Sequence, residues 1–160
     1  RILKVILGYE YFWQKVRVEG GAYGCMSNSN REGNLTFVSY RDPNLKNTVD
    51  VFENTKDFLK DFDADEREMT KYIIGTLSNM DTPLTPSQRG ARGLNSYFTG
   101  VGIEELQKQR DEIINATAED IRKLSDLVKD TMDEGYICVI GNEEKIEEEK
   151  DLFMNVEPLF

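Results

Sequence analysis

Arg17 and Tyr23 stand six positions apart around the double glycine Gly20-Gly21, in the segment Arg17-Val18-Glu19-Gly20-Gly21-Ala22-Tyr23-Gly24. A guanidinium offers a planar fork of permanently charged donors, and a phenol offers one O–H. These are the donors that a carbonyl oxygen needs as it gains negative charge. Glycine between them lets the backbone turn tightly and come close to another chain. Arg17 and Tyr23 are therefore the candidate catalytic and substrate-binding residues, with Gly20 and Gly21 as candidate substrate-binding backbone. On spacing alone the plainer reading is favoured, Arg17 as a cation at a helix C-terminus and Tyr23 as a half-buried strand aromatic.

The elements that must position them follow from periodicity. Ile2, Val5, Ile6, Tyr9, Phe12, Trp13 and Val16 recur at helical spacing, so a helix with one broad apolar face should end near Gly20. Stretches 22–28 and 34–40 contain β-formers and flank the turn-prone Ser29-Asn30-Arg31-Glu32-Gly33, which predicts an antiparallel hairpin. Asp42-Pro43 predicts a helix start, with Leu45, Val49, Phe52 and Leu59 on the helix that follows. A second helix should run over 65–79 with Met69, Tyr72, Ile73 and Leu77 buried, before the loop Thr82-Pro83-Leu84-Thr85-Pro86. Further helices are expected from Pro86 through Leu94 and Phe98 to Gly100, over 105–115, and from the capping box Thr117-Ala118-Glu119-Asp120 to Gly135. The last of these carries Ile121, Leu124, Leu127, Val128 and Met132. The β-rich run 136–140 reads as a late, central strand, and an acidic helix follows from Glu143. The fold class is α+β, an antiparallel sheet packed against helices, in a single domain spanning 1–160.

Composition narrows the function classes. A net charge of −10 argues against a nucleic-acid partner. No apolar run approaches the roughly 18 to 20 residues that cross a bilayer, so no membrane partner is expected. The chain opens on Arg1 without an initiator Met or a signal architecture, and reads as a piece of something longer. Cys25 and Cys138 form no CxxC pair and read as reduced, buried thiols, each in an expected strand and within reach of each other only if those strands are neighbours. Histidine is absent, which removes the commonest zinc ligand and general base.

Other motifs fail on their own chemistry. Asp61-Phe62-Asp63-Ala64-Asp65 opens like a calcium loop, but Glu66 stands where glycine is required and Tyr72 where a bidentate Glu is required. Gly100-Val101-Gly102 follows a helix rather than a strand and lacks the third glycine of a dinucleotide turn. Glu143, Glu144, Glu147, Glu148 and Glu149 describe a solvated helix face that would also attract basic peptides. Arg89 and Arg92 sit near a helix start, as surface charge or as partners for a ligand carboxylate or phosphate.

The segment Tyr11-Phe12-Trp13-Gln14-Lys15-Val16-Arg17-Val18-Glu19-Gly20-Gly21-Ala22-Tyr23-Gly24 closely resembles the C-terminal half of presequence proteases, members of the pitrilysin and insulinase family of zinc peptidases. The resemblance continues through Phe37-Val38-Ser39-Tyr40-Arg41-Asp42-Pro43-Asn44-Leu45 and, more loosely, through Asp81-Thr82-Pro83-Leu84-Thr85-Pro86. It implies a clamshell enzyme whose N-terminal half binds zinc through an inverted HxxEH motif, which this chain lacks. It also implies that an arginine and a tyrosine of the C-terminal half reach the bound peptide at the zinc, and Arg17 and Tyr23 occupy the matching positions. The expected cofactor is zinc held outside this chain, with no metal ligand within it. The expected partners are the N-terminal zinc-binding half of the same protein and an unfolded peptide substrate. Zinc and a glutamate would activate water there, and Arg17 and Tyr23 would donate to the peptide oxygen. Two rivals use the same fold, a non-catalytic scaffold and a free-standing peptide-binding module. Reduced cysteines favour a cytoplasmic location, or an organelle matrix in a eukaryote.

Overall fold

A computed structural model describes residues 1–158 of the chain. The first helix, α1 (Ile2–Ile6), begins with ordinary turns and continues in wide i→i+5 turns over Leu7–Tyr11 and Trp13–Glu19. Such turns are rare and mostly occur singly. They redirect the apolar face. Leu7, Phe12 and Val16 are buried with Ile2, Leu3, Val5 and Ile6, whereas Tyr9 and Trp13, expected in the core, are exposed. An ordinary helix brings a core position round every three or four residues, but here the step from Leu7 to Phe12 is five.

The hairpin forms as expected, with β1 (Gly24–Ser29) antiparallel to β2 (Leu35–Tyr40), Gly24 opposite Tyr40 and Ser27 opposite Phe37. Asn30 shapes its loop: Asn30 Oδ1 accepts from the backbone N–H groups of Glu32 (3.1 Å) and Asn34 (3.0 Å), and Gly33 takes φ 92°. Alternation turns Cys25, Ser27, Leu35 and Phe37 toward the core and leaves Met26, Val38 and Tyr40 exposed. Phe12 ties helix to sheet, edge-on to Phe37 at 5.1 Å and to Phe52 at 5.3 Å.

The expected helix start at Asp42-Pro43 is corrected by the structure. Asp42 Oδ1 accepts from the Asn44 backbone N–H (2.9 Å) and Oδ2 from the Thr48 hydroxyl (2.6 Å), so Asp42 closes a turn and the helix, α2 (Lys46–Glu53), begins later. Nor is that helix continuous to Leu59. It breaks at Asn54 before α3 (Thr55–Lys60), where the Val51 carbonyl accepts from the Tyr11 (3.1 Å) and Thr55 (3.2 Å) hydroxyls.

Capping boxes open α4 (Glu66–Met80), α5 (Pro86–Thr99) and α7 (Ala118–Asp133), through Asp65/Glu68, Thr85/Gln88 and Thr117/Asp120. Helix α4 buries Met69, Tyr72 and Thr76 and lies against α1, where a Cβ at Gly75 would meet Val5 at 3.3 Å. Helix α6 (Ile103–Ile114) buries Ile113, and its Arg110 forks onto Asp81 at the end of α4. Helix α7 packs on α3, joining Ile121 and Val128 to Leu59, with Ser125 donating to the Lys56 carbonyl (2.8 Å) and Arg122 to the Phe62 carbonyl (2.8 Å). Helix α5 buries none of its residues.

The run 136–140 is a second correction. It forms no strand, and Tyr136 and Ile140 are 86% and 79% exposed. Among the described residues the sheet has two strands, and neither pairs with this run. Cys138 is accordingly exposed rather than buried, while Cys25 is half-buried in β1, and both are free. The acidic helix α8 (Glu143–Glu148) follows, capped by Asn142. The architecture is α+β, a small antiparallel sheet packed on one face against helices. Among the described residues no helix is long and apolar enough to cross a membrane.

Candidate functional site

The wide-turned helix ends in a closure that sets the site. Gly20 N–H donates to the Lys15 carbonyl (3.1 Å), Gly21 N–H to that of Arg17 (3.0 Å) and Ala22 N–H to that of Val16 (3.1 Å). The two glycines answer different demands. A Cβ on Gly20 would lie 2.5 Å from the Val16 carbonyl oxygen, whereas Gly21 takes φ 77°, in the left-handed region. Ala22 is then buried, and the chain enters the hairpin.

Arg17 and Tyr23 emerge on either side of this closure. Tyr9, Trp13 and Arg17, four residues apart, are all exposed, and the Arg17 guanidinium lies 4.1 Å above the Trp13 ring. At an exposed site such a cation–π contact is worth about 0.5–1 kcal/mol. It orients the guanidinium through its face and leaves its edge N–H donors free to bond a ligand. Tyr23 lies one residue before β1. Its backbone N–H donates to the Arg41 carbonyl (3.3 Å), which carries the pairing one step beyond Gly24 and Tyr40. The side chain is 65% exposed and meets Tyr40 edge-on at 6.0 Å. Each candidate thus has an aromatic support and an accessible polar head, and one closure fixes the backbone of both.

Two residues not singled out from the sequence complete the surroundings. Arg41 adopts φ 48°, alone among the described non-glycine residues in taking a positive value, a conformation that costs roughly 1–2 kcal/mol. Its guanidinium lies 5.8 Å from the Tyr23 ring and 5.4 Å from the Tyr40 ring. Asn44 reaches back from the Asp42 turn and donates through Nδ2 to the Gly20 carbonyl. A positive φ at arginine has no signature in sequence, and Asn44 looks like any turn asparagine until the fold brings it to Gly20.

Lys71 Nζ (3.0 Å) and the Tyr72 hydroxyl (2.8 Å) both donate to Glu10 Oε1, fastening the wide turns to α4. The bond from Lys71 chiefly holds the Glu10 carboxyl below its usual range, and burial, reinforced by Glu10, pushes the Tyr72 phenol up. Burial, then the Asp42 charge, pushes the Cys25 thiol up to about 12, which disfavours the thiolate that a nucleophile needs. Arg89 and Arg92 are exposed on α5. Among the described residues no group of three His, Cys, Asp or Glu side chains could hold a metal ion.

Comparison with known proteins places the chain in a family. Residues 1–143 match the family model described as the PreP C-terminal domain. The chain is 52% identical over 155 residues to Protein HypA of Clostridium perfringens, covering 97% of the chain and 16% of that protein. It is 35% identical over 138 residues (86% of the chain) to presequence protease 1, chloroplastic/mitochondrial, of Arabidopsis thaliana, and 31% identical over 141 residues (88% of the chain) to the mitochondrial presequence protease of Aspergillus fumigatus. It spans 13% of each of those two proteins. With its matched region containing the whole Arg17–Tyr23 closure, the chain belongs to the PreP C-terminal domain family, as a presequence-protease-like C-terminal fragment.

Proposed function

We propose that this chain is the substrate-binding and transition-state-stabilising portion of a zinc-dependent metalloendopeptidase that degrades unfolded peptides. The observation that carries the reading is the Gly20-Gly21 closure, which presents the exposed Arg17 and Tyr23 from the end of a helix and the start of a hairpin. In this reading residues 1–160 form a single α+β domain in the C-terminal half of a larger peptidase. The N-terminal half of the same protein supplies the metal. Histidine is absent and the described residues hold no three-donor cluster, so the chain does not fit a zinc ion by itself.

The chemistry asked of this chain is donation. When a peptide carbonyl is attacked, negative charge grows on its oxygen, and donors already aimed at that position lower the barrier without reorganising. Arg17 supplies a charged N–H and Tyr23 a phenolic O–H, while the backbone around Gly20 and Gly21 lets the peptide approach. Removing one such donor costs about 10² to 10³ in turnover, or about 3–4 kcal/mol. The proposed location is the cytoplasm, or an organelle matrix in a eukaryote, a reading supported by the organellar names of the plant and fungal relatives.

The test is cleavage of an unstructured peptide by the full-length protein, wild type beside Arg17→Ala and Tyr23→Phe, with bound zinc quantified. The expected outcome is unchanged zinc and turnover reduced by about 10²-fold or more in each variant. Normal turnover in Tyr23→Phe removes its catalytic assignment. A wild type that is inactive and zinc-free leaves a non-catalytic scaffold or peptide-binding module in its place.

A further inference from the structure

We infer that Arg41 is a positioning residue that fixes the direction of the Tyr23 phenol. The inference rests on the proposed role of Tyr23 and adds a residue to it. Arg41 holds Tyr23 at two points: its carbonyl accepts the Tyr23 backbone N–H at 3.3 Å, and its guanidinium lies 5.8 Å from the Tyr23 ring. The same guanidinium lies 5.4 Å from Tyr40, the ring that Tyr23 meets edge-on, so one cation serves both members of the aromatic pair. For a side chain as exposed as Tyr23, these two neighbours constrain the ring where no surrounding core does.

The backbone at Arg41 makes this hold specific. At φ 48° glycine would sit without strain, so an arginine there maintains a conformation that its own side chain disfavours. The turn it initiates locks onto the closure from the other side. Asn44 donates to the Gly20 carbonyl, and Pro43 Cγ lies 3.6 Å from where a Cβ on Gly21 would be. Lys145 Nζ in turn donates to the Pro43 carbonyl at 2.6 Å, anchoring the turn from α8. Residues 20–23 and 41–44 therefore behave as one interlocked unit, with Arg41 the member that touches the Tyr23 side chain. Without its guanidinium the hairpin could keep its pairing while the phenol swings through more directions, fewer of them productive.

Arg41→Gly separates these roles, because it removes the cation and relieves the backbone. In the full-length protein we expect it to lower kcat on an unstructured peptide by about 10- to 100-fold. KM should stay within about twofold, since a misaimed donor weakens the transition state rather than ground-state binding. Bound zinc should be unchanged and the thermal midpoint should not fall, since the relieved backbone strain offsets the lost contacts. In a Tyr23→Phe background Arg41→Gly should cost no further turnover, because the hydroxyl it positions is already gone. Arg41→Lys, which keeps a cation, should restore part of kcat. With 3-fluorotyrosine at position 23, Arg41→Gly should also shift the fluorine resonance of the full-length protein. Where Tyr23→Phe itself loses turnover, an unchanged kcat in Arg41→Gly or an equal loss in both backgrounds overturns the inference, and an unmoved fluorine resonance overturns it in either case. If Tyr23→Phe alone keeps full turnover while the resonance moves, the catalytic role of Tyr23 fails and the hold of Arg41 on its ring stands.

Discussion

Two stretches of this chain have the composition of β-structure, Leu35-Thr36-Phe37-Val38-Ser39-Tyr40 and Tyr136-Ile137-Cys138-Val139-Ile140, and they reach opposite ends. The first is β2, paired along its length with β1, with Phe37 laid on Phe12. The second is unpaired and largely exposed. The second run is the more apolar and β-branched of the two, so intrinsic preference does not separate them. What separates them is a partner. β2 finds β1 across a short loop built on Asn30, and its inward side chains meet a helix that is already in place. Among the described residues the run 136–140 is offered neither, and a strand without a neighbour leaves its backbone groups to water.

Three substitutions in this chain test whether a packing partner is what separates the two stretches. Phe12→Ala should have the largest effect. Phe12 is fully buried and meets both Phe37 and Phe52, so the loss should be about 3–5 kcal/mol by chemical denaturation. Amide exchange should then accelerate along β1 and β2, while the amides of 136–140, expected to exchange fast in both proteins, should not change. A hairpin that keeps its protection without Phe12 would show that strand pairing alone holds it.

Gly20→Ala comes next. The added Cβ collides with the Val16 carbonyl oxygen, a fixed backbone atom, and the expected cost is about 1–3 kcal/mol with fraying of the last helical turn, read by exchange at Gly21 and Ala22. A neutral result would mean that the closure relaxes easily and does not aim Arg17. Ile140→Asp should change least, within about 0.5 kcal/mol, as befits an exposed side chain with little to lose. A cost of several kcal/mol would reverse the comparison by showing that the run is packed.

The same contrast explains what could be read before the fold was seen. Local signals were legible. Thr117 and Asp120 place the start of α7, Pro86 that of α5, and the Asn30–Gly33 loop the hairpin, because each depends on bonds between residues a few positions apart. Gly20 and Gly21 were legible as a tight closure for the same reason. Features that depend on distant neighbours were not. The exposure of Tyr9 and Trp13 follows from wide turns that are fastened by Lys71 and Tyr72 through Glu10. The late helix start follows from Asp42 being occupied by Asn44 and Thr48. Arg41 enters the site through a backbone angle that residue type argues against.

The wide-turned helix makes the angular aim of Arg17 a matter of chain length. Ordinary helical residues advance by about 100° each, and i→i+5 turns spread the same rotation over more residues. Losing one residue between Leu7 and Phe12 would let the turns relax toward the ordinary pitch and still leave a helix, but Arg17 and its Trp13 shelf would leave it together at a different bearing from the core and the hairpin. Substitutions along this stretch answer to its packing and to the bonds of Glu10 and Tyr11, whereas insertions and deletions answer to the compass heading of a single side chain at its end.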